Sequence, residues 1–347
     1  MIGKLILSDG TSFEGKSFGA PHSSSGEIVF ATGMTGYPQA FTDPSFSGQI
    51  LVMTYPIIGN YGVPSKGYWE SDKLQINGLI VSNYIDTPSH FQSKVTLDTW
   101  LKNENIPGLE IKDTRALTQH LRSKGVMLGK IVFGKDIPFY DPNRNNLVAQ
   151  VSTTKIIKKG KGNKKIVIID CGAKQNITKC FLKRSVSTIM VPWDYDPIKN
   201  NLNFNALFIS NGPGDPKMAD KTILTIKKAM DKKIPIMGIC LGNQLLALAA
   251  GGDTYKLPYG HRSQNQPCKL VGTEKCYITT QNHGYAIKTV PKGFTPWFVN
   301  ANDETIEGIK HTKYPFMSVQ FHPEAAPGPM DTEWIFDYFL ERIKNEK

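Results

Sequence analysis

The sequence predicts a β-rich α+β domain over residues 1–153, then an α/β domain over 166–347 built on a doubly wound, mostly parallel sheet. Three observations predict this. The first half sets short strand candidates among turn-forming Gly, Pro, Asp and Ser. From Lys165 onward, apolar runs alternate with helical stretches, the pattern of a sheet buried on both faces. Between the halves, residues 154–165 (TKIIKKGKGNKK) carry six lysines and two glycines. Such a stretch buries no apolar face and reads as an exposed linker. A basic arm for nucleic acid is the alternative there, but the run is short and internal.

In chain order, residues 4–7 and 11–14 read as a hairpin around Asp9-Gly10. Residues 27–32 (EIVFAT) form another strand candidate. Residues 33–62 are rich in turn formers around one strand, 49–54. Helices are expected over 96–103 and Thr114–Lys124. In the second, Asp113 is placed to cap, Leu117 and Leu121 form the apolar stripe, and Gly125 ends it. A strand follows over 126–133. In the second half, strands are expected at 166–170, Ser187–Pro192, 206–210 and 234–239, and helices at 176–183 and 219–232. Residues 269–321 have the spacing of antiparallel strands. Residues 331–347 read as a closing amphipathic helix with Trp334, Ile335, Tyr338, Phe339 and Ile343 largely inward.

Composition bounds the function. A chain of 347 residues with 40% hydrophobic and 20% charged residues fits about two globular domains. No apolar run reaches the roughly 18 residues of a membrane span, and the N-terminus lacks the long apolar core of a signal peptide. The five cysteines are odd in number and form no C-x-x-C pair, so no disulfide framework, zinc site or other metal site is indicated. A reducing, cytoplasmic setting fits, with an organelle left open. The net charge of +11 comes from scattered lysines without interleaved aromatics, which argues against a nucleic-acid partner. There is no internal repeat, no phosphate-binding G-x-x-x-x-G-K-[ST] loop and no dinucleotide fingerprint, so no nucleotide cofactor is expected on this chain.

The chemistry gathers at three expected strand ends. Gly238-Ile-Cys240-Leu-Gly242 is the cysteine counterpart of a nucleophile elbow, and the helix after it points its positive end at the sulfur. Asn211-Gly-Pro-Gly-Asp-Pro216 leaves backbone N–H groups unshielded, fit for half of an oxyanion hole, with the Leu241 N–H as the other half. Gln320-Phe-His-Pro-Glu324 places a carboxylate where it can orient His322 as a base. Each segment alone is equally compatible with an ordinary turn or a structural residue. The ordered set of turn, Cys, His and Glu is far more specific.

NGPGDP, GICLGNQ and QFHPE resemble the triad (class I) glutamine amidotransferases. MTGYPQAFTDPSFSGQI, YPIIGNYG, DTRALTQHLRSKG, QNHGYA and HPEAAPGP further resemble the small subunit of carbamoyl phosphate synthetase, over nearly the whole chain. The resemblance implies a class I amidotransferase-like second domain and a first domain specific to this subunit, serving subunit and domain contacts. It implies that Cys240 attacks the side-chain amide of L-glutamine, that His322 moves protons and that Glu324 orients His322. Leu241 and Gly212 would hold the oxyanion, and Ser45, Gly212, Gly214, Leu241, Gln244, Asn282, Gly284 and Tyr285 would hold glutamine. Because Ser45 precedes the linker, the site is expected to lie across the domain boundary. The implied partner is the large synthetase subunit, which would bind ATP and divalent metal and turn the released ammonia and bicarbonate into carbamoyl phosphate.

Two departures stand out. Asn243 occupies a position where many relatives have His, and His261-Arg262-Ser263 replaces a Gly-rich stretch. Both are expected to tune the site without abolishing it. Two other readings compete: another triad amidotransferase or γ-glutamyl hydrolase, and a non-enzymatic basic adaptor. The first half argues against the former, and the intact Cys240, His322 and Glu324 against the latter.

Overall fold

The computed structural model describes residues 1–343. The chain divides into two compact units, Met1–Arg144 and a second that begins at Asn145.

In the first unit, β1 (Ile2–Leu7) and β2 (Ser12–Gly19) form the hairpin expected at Asp9-Gly10. Gly10 takes the positive φ of 88° that such a turn requires. Next come β3 (Ser24–Ala31), α1 (Tyr37–Phe41), β4 (Gln49–Met53), β5 (Ile57–Ile58), β6 (Gly78–Val81) and β7 (Asn83–Tyr84). The unit ends with α2 (Leu97–Asn103), β8 (Pro107–Glu110), α3 (Thr114–Lys124) and β9 (Met127–Val132). The strands close into a barrel in the order β1-β2-β8-β6-β4-β3-β9, while β5 pairs with β7 apart from it. Alternation along the strands divides the apolar residues between two cores. Leu5, Leu7, Ile28, Ile50, Ile80 and Leu109 pack with Leu117 and Leu121 of α3. Val29, Leu51, Met53, Leu79 and Val81 pack with Trp100 and Leu101 of α2. Thr96 and Asp113 cap α2 and α3 by accepting from the Thr99 and Ala116 N–H groups. The sequence reading did not anticipate β6 or β8, which are short and gain their pairing only from the closed barrel.

The second unit opens with α4 (Leu147–Val151), β10 (Ile157–Lys159), β11 (Lys165–Asp170), α5 (Gln175–Lys183) and β12 (Ser187–Pro192). It continues through β13 (Ala206–Ile209), α6 (Asp220–Asp231), β14 (Ile236–Ile239) and α7 (Leu241–Ala249). The remaining elements are β15 (Asp253–Leu270), β16 (Cys276–Thr289), β17 (Phe294–Asn300), β18 (Ile306–His311), β19 (Phe316–Val319) and α8 (Trp334–Leu340). They form one sheet in the order β10-β12-β11-β13-β14-β19-β18-β16-β15-β17. Parallel pairing runs from β12 to β19, and the apolar residues of these strands face two separate cores. Val167, Ile169, Leu207 and Ile209 pack with α6 and α7, and Ile166, Ile168, Phe208 and Met237 with α5 and α8. Helices on both faces make this part doubly wound.

Three expectations need correction. The sheet as a whole is mixed, because β15 to β18 extend its parallel part with antiparallel strands. The division between units falls at Arg144, before the expected boundary, and the lysine-rich stretch contains a strand. There, β10 pairs antiparallel with β12, so backbone hydrogen bonds order a segment whose side chains stay exposed. Lysines suit such an edge because they repel a further strand. The closing helix is shorter than expected, ending at Leu340, and residues 344–347 of that expectation lie outside the described residues. No helix among the described residues is long and apolar enough to cross a membrane.

Candidate active site

Three neighbouring parallel strands of the second unit deliver the site. Ile209 of β13 lies opposite Gly238 of β14, so Gly212 and Leu241 follow at equal distances beyond adjacent strands. Gly238 in turn lies opposite Ser318 of β19, which leads on to His322. Cys240 sits between β14 and α7 with φ 56° and ψ −106°, the strained conformation expected of a nucleophile on a sharp turn. The flanking glycines are required by space. A Cβ at Gly238 would run into the Gly242 carbonyl, and one at Gly242 into the Ile209 carbonyl. The Cys240 N–H donates to the Val319 carbonyl at 2.9 Å, and its sulfur lies 3.5 Å from the Asn282 carbonyl. Cys240 is almost completely buried.

His322 and Glu324 are buried together. His322 Nδ1 donates to Glu324 Oε1 at 2.7 Å, so the ring is held in a defined tautomer and Nε2 remains for other chemistry. Among the described residues Nε2 makes no hydrogen bond of normal geometry. Burial disfavours a charge on the ring, but the Glu324 carboxylate, followed by the Cys240 sulfur, outweighs it and raises the His322 pKa. For Glu324 burial acts upward, yet Lys174 and then His322 hold its pKa well below the ordinary carboxylate range. The contribution of this pair to stability is fully present between the ordinary values of 4.5 and 6.5. It is lost as pH falls through the depressed carboxyl value, or rises through the elevated imidazole value.

Cys240→Ala removes one group that keeps His322 charged. The ring is therefore expected to titrate at lower pH in this variant than in the wild type, as read from imidazole nitrogen shifts. An unchanged titration would show sulfur and ring to be uncoupled.

The other expected residues fall into two groups. Gly212, Gly214, Leu241, Gln244, Asn282, Gly284 and Tyr285 all lie in the second unit, on the turn after β13, on α7 or on β16. A Cβ at Gly212 would strike the Cys171 carbonyl, and Gly214 has φ 82°, so both positions favour glycine. Gln244 uses its amide N–H groups on the Tyr285 carbonyl (2.8 Å) and Gln320 Oε1 (3.1 Å), fastening α7 to β16 and to the residue just after β19. Ser45 belongs to the first unit, buried in a tight turn where its N–H donates to Asp43. Asn243 is fully buried and joins Ser318 to Gln320, a structural use of its side chain.

Lys174 was missed by the sequence reading. Its ammonium lies 3.2 Å from Glu324 Oε1 and 2.5 Å from the Ala325 carbonyl, all buried. The Asp170 carboxylate shapes the turn that presents Lys174, accepting from the Gly172 and Ala173 N–H groups at 2.9 and 2.7 Å. Asn176 also donates to the Glu324 carbonyl. The available signal was a lysine just past the carboxyl end of β11, where a parallel sheet places its ligands.

The family model for class-I glutamine amidotransferases matches residues 167–342, and that for the carbamoyl-phosphate synthase small chain, CPSase domain, matches residues 5–131. The chain is 45% identical to the multifunctional protein URA2 of Saccharomyces cerevisiae, over 99% of this chain and 18% of that protein. It is 47% identical to the multifunctional protein CAD of Squalus acanthias, over 99% of this chain and 16% of that protein. It is 45% identical to the mitochondrial carbamoyl-phosphate synthase [ammonia] of Homo sapiens, over 99% of this chain and 24% of that protein. The chain thus spans a quarter or less of the length of these relatives.

Proposed function

Since the chain belongs to the class-I glutamine amidotransferases and carries a carbamoyl-phosphate synthase small-chain domain, we propose that it is the glutaminase of a carbamoyl-phosphate synthase. The observation that carries this reading is Cys240 on its strained turn, coupled to the buried pair of His322 and Glu324.

In the proposed reaction the Cys240 thiolate attacks the side-chain amide carbon of L-glutamine. Electrons move onto the amide oxygen, where the Leu241 and Gly212 N–H groups stabilise the charge. His322 gives its proton to the nitrogen as the C–N bond breaks, releasing ammonia and leaving a γ-glutamyl thioester. It then takes a proton from water, whose oxygen attacks the thioester carbon, and the C–S bond breaks to release glutamate and restore the thiolate. Glu324 keeps Nδ1 protonated throughout and Nε2 directed at the reacting groups. Lys174 keeps Glu324 ionised. Ammonia would pass to a large synthetase partner that binds ATP and divalent metal and makes carbamoyl phosphate from bicarbonate. A free cysteine nucleophile fits a reducing compartment.

A second reading is favoured by the human relative, whose name specifies ammonia. There the chain would serve a synthase that draws on free ammonia. The two separate in one experiment on the assembled synthase, given amide-15N glutamine and an excess of unlabelled ammonium salt. Label in carbamoyl phosphate well above the level of the mixed pool is expected. Label diluted to that level would favour the second reading.

A further inference from the structure

A second buried cluster lies on the antiparallel part of the sheet, outside the triad. His261 of β15 stands directly opposite His283 of β16, and Glu307 projects from the neighbouring β18. All three side chains are buried. His261 Nδ1 is 3.4 Å from Glu307 Oε1, and His283 Nε2 is 3.9 Å from the same oxygen. One ligand atom from each residue lies within 4.8 Å of the others.

The hydrogen-bond partners decide what these atoms carry. His261 Nε2 is 2.9 Å from the Asp303 carboxylate, which only accepts, so Nε2 holds a proton, and Nδ1 offers a lone pair whenever the ring is neutral. That Nδ1 is buried without a hydrogen-bond partner among the described residues. His283 Nδ1 is 2.8 Å from the Tyr285 carbonyl, so it donates there, and Nε2 is the lone pair. Gln281 donates its amide N–H to Glu307 Oε2 at 3.0 Å and turns its Oε1 toward His283 Nε2, also at 3.0 Å. The Thr305 hydroxyl lies 2.8 Å from Asp303 Oδ1 and 3.1 Å from Glu307 Oε1 and shares its one proton between them. When His261 is neutral, four lone-pair atoms, His261 Nδ1, His283 Nε2, Glu307 Oε1 and Gln281 Oε1, converge, and without a metal a proton on His261 Nδ1, held between the Asp303 and Glu307 carboxylates, takes the place of the cation. Buried acceptors facing one another are costly, and a shared cation relieves the cost.

We propose that His261, His283 and Glu307, completed by Gln281 Oε1, form a buried structural site for a divalent transition-metal ion of the zinc class. Tetrahedral bonds of about 2.0–2.1 Å set ligand atoms roughly 3.4 Å apart, so the spacings of 3.4 and 3.9 Å need little adjustment, and the widest in the cluster, within 4.8 Å, would close by up to about 1.4 Å on binding. Each imidazole donates its other N–H to an acceptor, Asp303 or the Tyr285 carbonyl, the outer support that metal-bound histidines use. The ion would tie β15, β16 and β18 together beside Asn282 and Tyr285. The sequence offers no sign of it, because the ligands are spread over residues 261–307 with none of the familiar short spacings.

The test uses the full chain carrying Cys240→Ser, so that the active-site thiol does not compete. After chelation and dialysis it is titrated with Co2+ and then with Zn2+. One equivalent of Co2+ is expected to give the visible absorption of a four-coordinate N/O site, to raise the melting temperature and to be displaced by Zn2+. Glu307→Gln is expected to weaken Co2+ binding at least tenfold. Asp303→Asn, at the exposed edge and a milder change, is expected to weaken it about tenfold. Absence of both the visible bands and the thermal shift would overturn the site. So would bands that persist unchanged in both variants.

Discussion

Cys240→Ser is expected to lower glutamine hydrolysis by on the order of 10^4-fold or more, while the melting temperature stays near that of the wild type. The residue keeps its place on the turn, and the oxygen is smaller than the sulfur, so no clash arises. What is lost is the nucleophile. A serine hydroxyl stays protonated near neutral pH and is a far weaker nucleophile than the sulfur it replaces. Carbamoyl phosphate formation from added ammonium salt by the assembled synthase should continue at the wild-type rate, because that route bypasses the sulfur. Glutamate release measured with and without the partner checks the first part, and the ammonium assay checks the second. Retention of even a tenth of wild-type glutamine turnover would rule out Cys240 as the attacking group.

Lys174→Met is expected to destabilise the protein by roughly 3–5 kcal/mol, the range for breaking a buried ion pair on one side only. Lys174 and Glu324 are both almost wholly buried and 3.2 Å apart, so the variant strands a carboxylate with only His322 opposite it. The Glu324 pKa should rise, because the lysine is the largest influence holding it down against burial. Activity is then lost on the acid side at a higher pH than in the wild type, since a protonated Glu324 no longer steadies the imidazolium. The double variant Lys174→Met/Glu324→Gln should recover much of the stability without recovering turnover. Denaturant unfolding of the wild type, both single variants and the double variant measures the coupling. A strictly additive cycle would show that the pair contributes nothing as a pair.

The residues most legible in the sequence were those whose constraints are local. A strained turn with glycines on both sides is written within five residues, and the structure has Cys240 at φ 56° with backbone close against Gly238 and Gly242. The parallel strands were equally plain, because burial on both faces requires an uninterrupted apolar run. The strand Ser187–Pro192 agrees residue for residue. The helix Thr114–Lys124 carries its own start and stop in Asp113 and Gly125.

Less legible were elements whose reasons lie in distant partners. β6 and β8 are short, and what orders them is a barrel closed by strands far away in the chain. β10 reads as a charged linker because its side chains face solvent, while its backbone pairing is set by β12.

The sequence by itself determined the candidate site, because the elbow cysteine, the His-x-Glu pair and the Gly-Pro-Gly turn each carry a signature spanning only a few residues. Tertiary structure alone decided what surrounds them. Lys174 became a partner of Glu324 only when β11 and β19 ended on the same side of one sheet. His261, His283 and Glu307 met only when antiparallel strands extended that sheet. Interactions between buried charges and lone pairs depend on distances of a few ångströms, and separation along the chain places no bound on those.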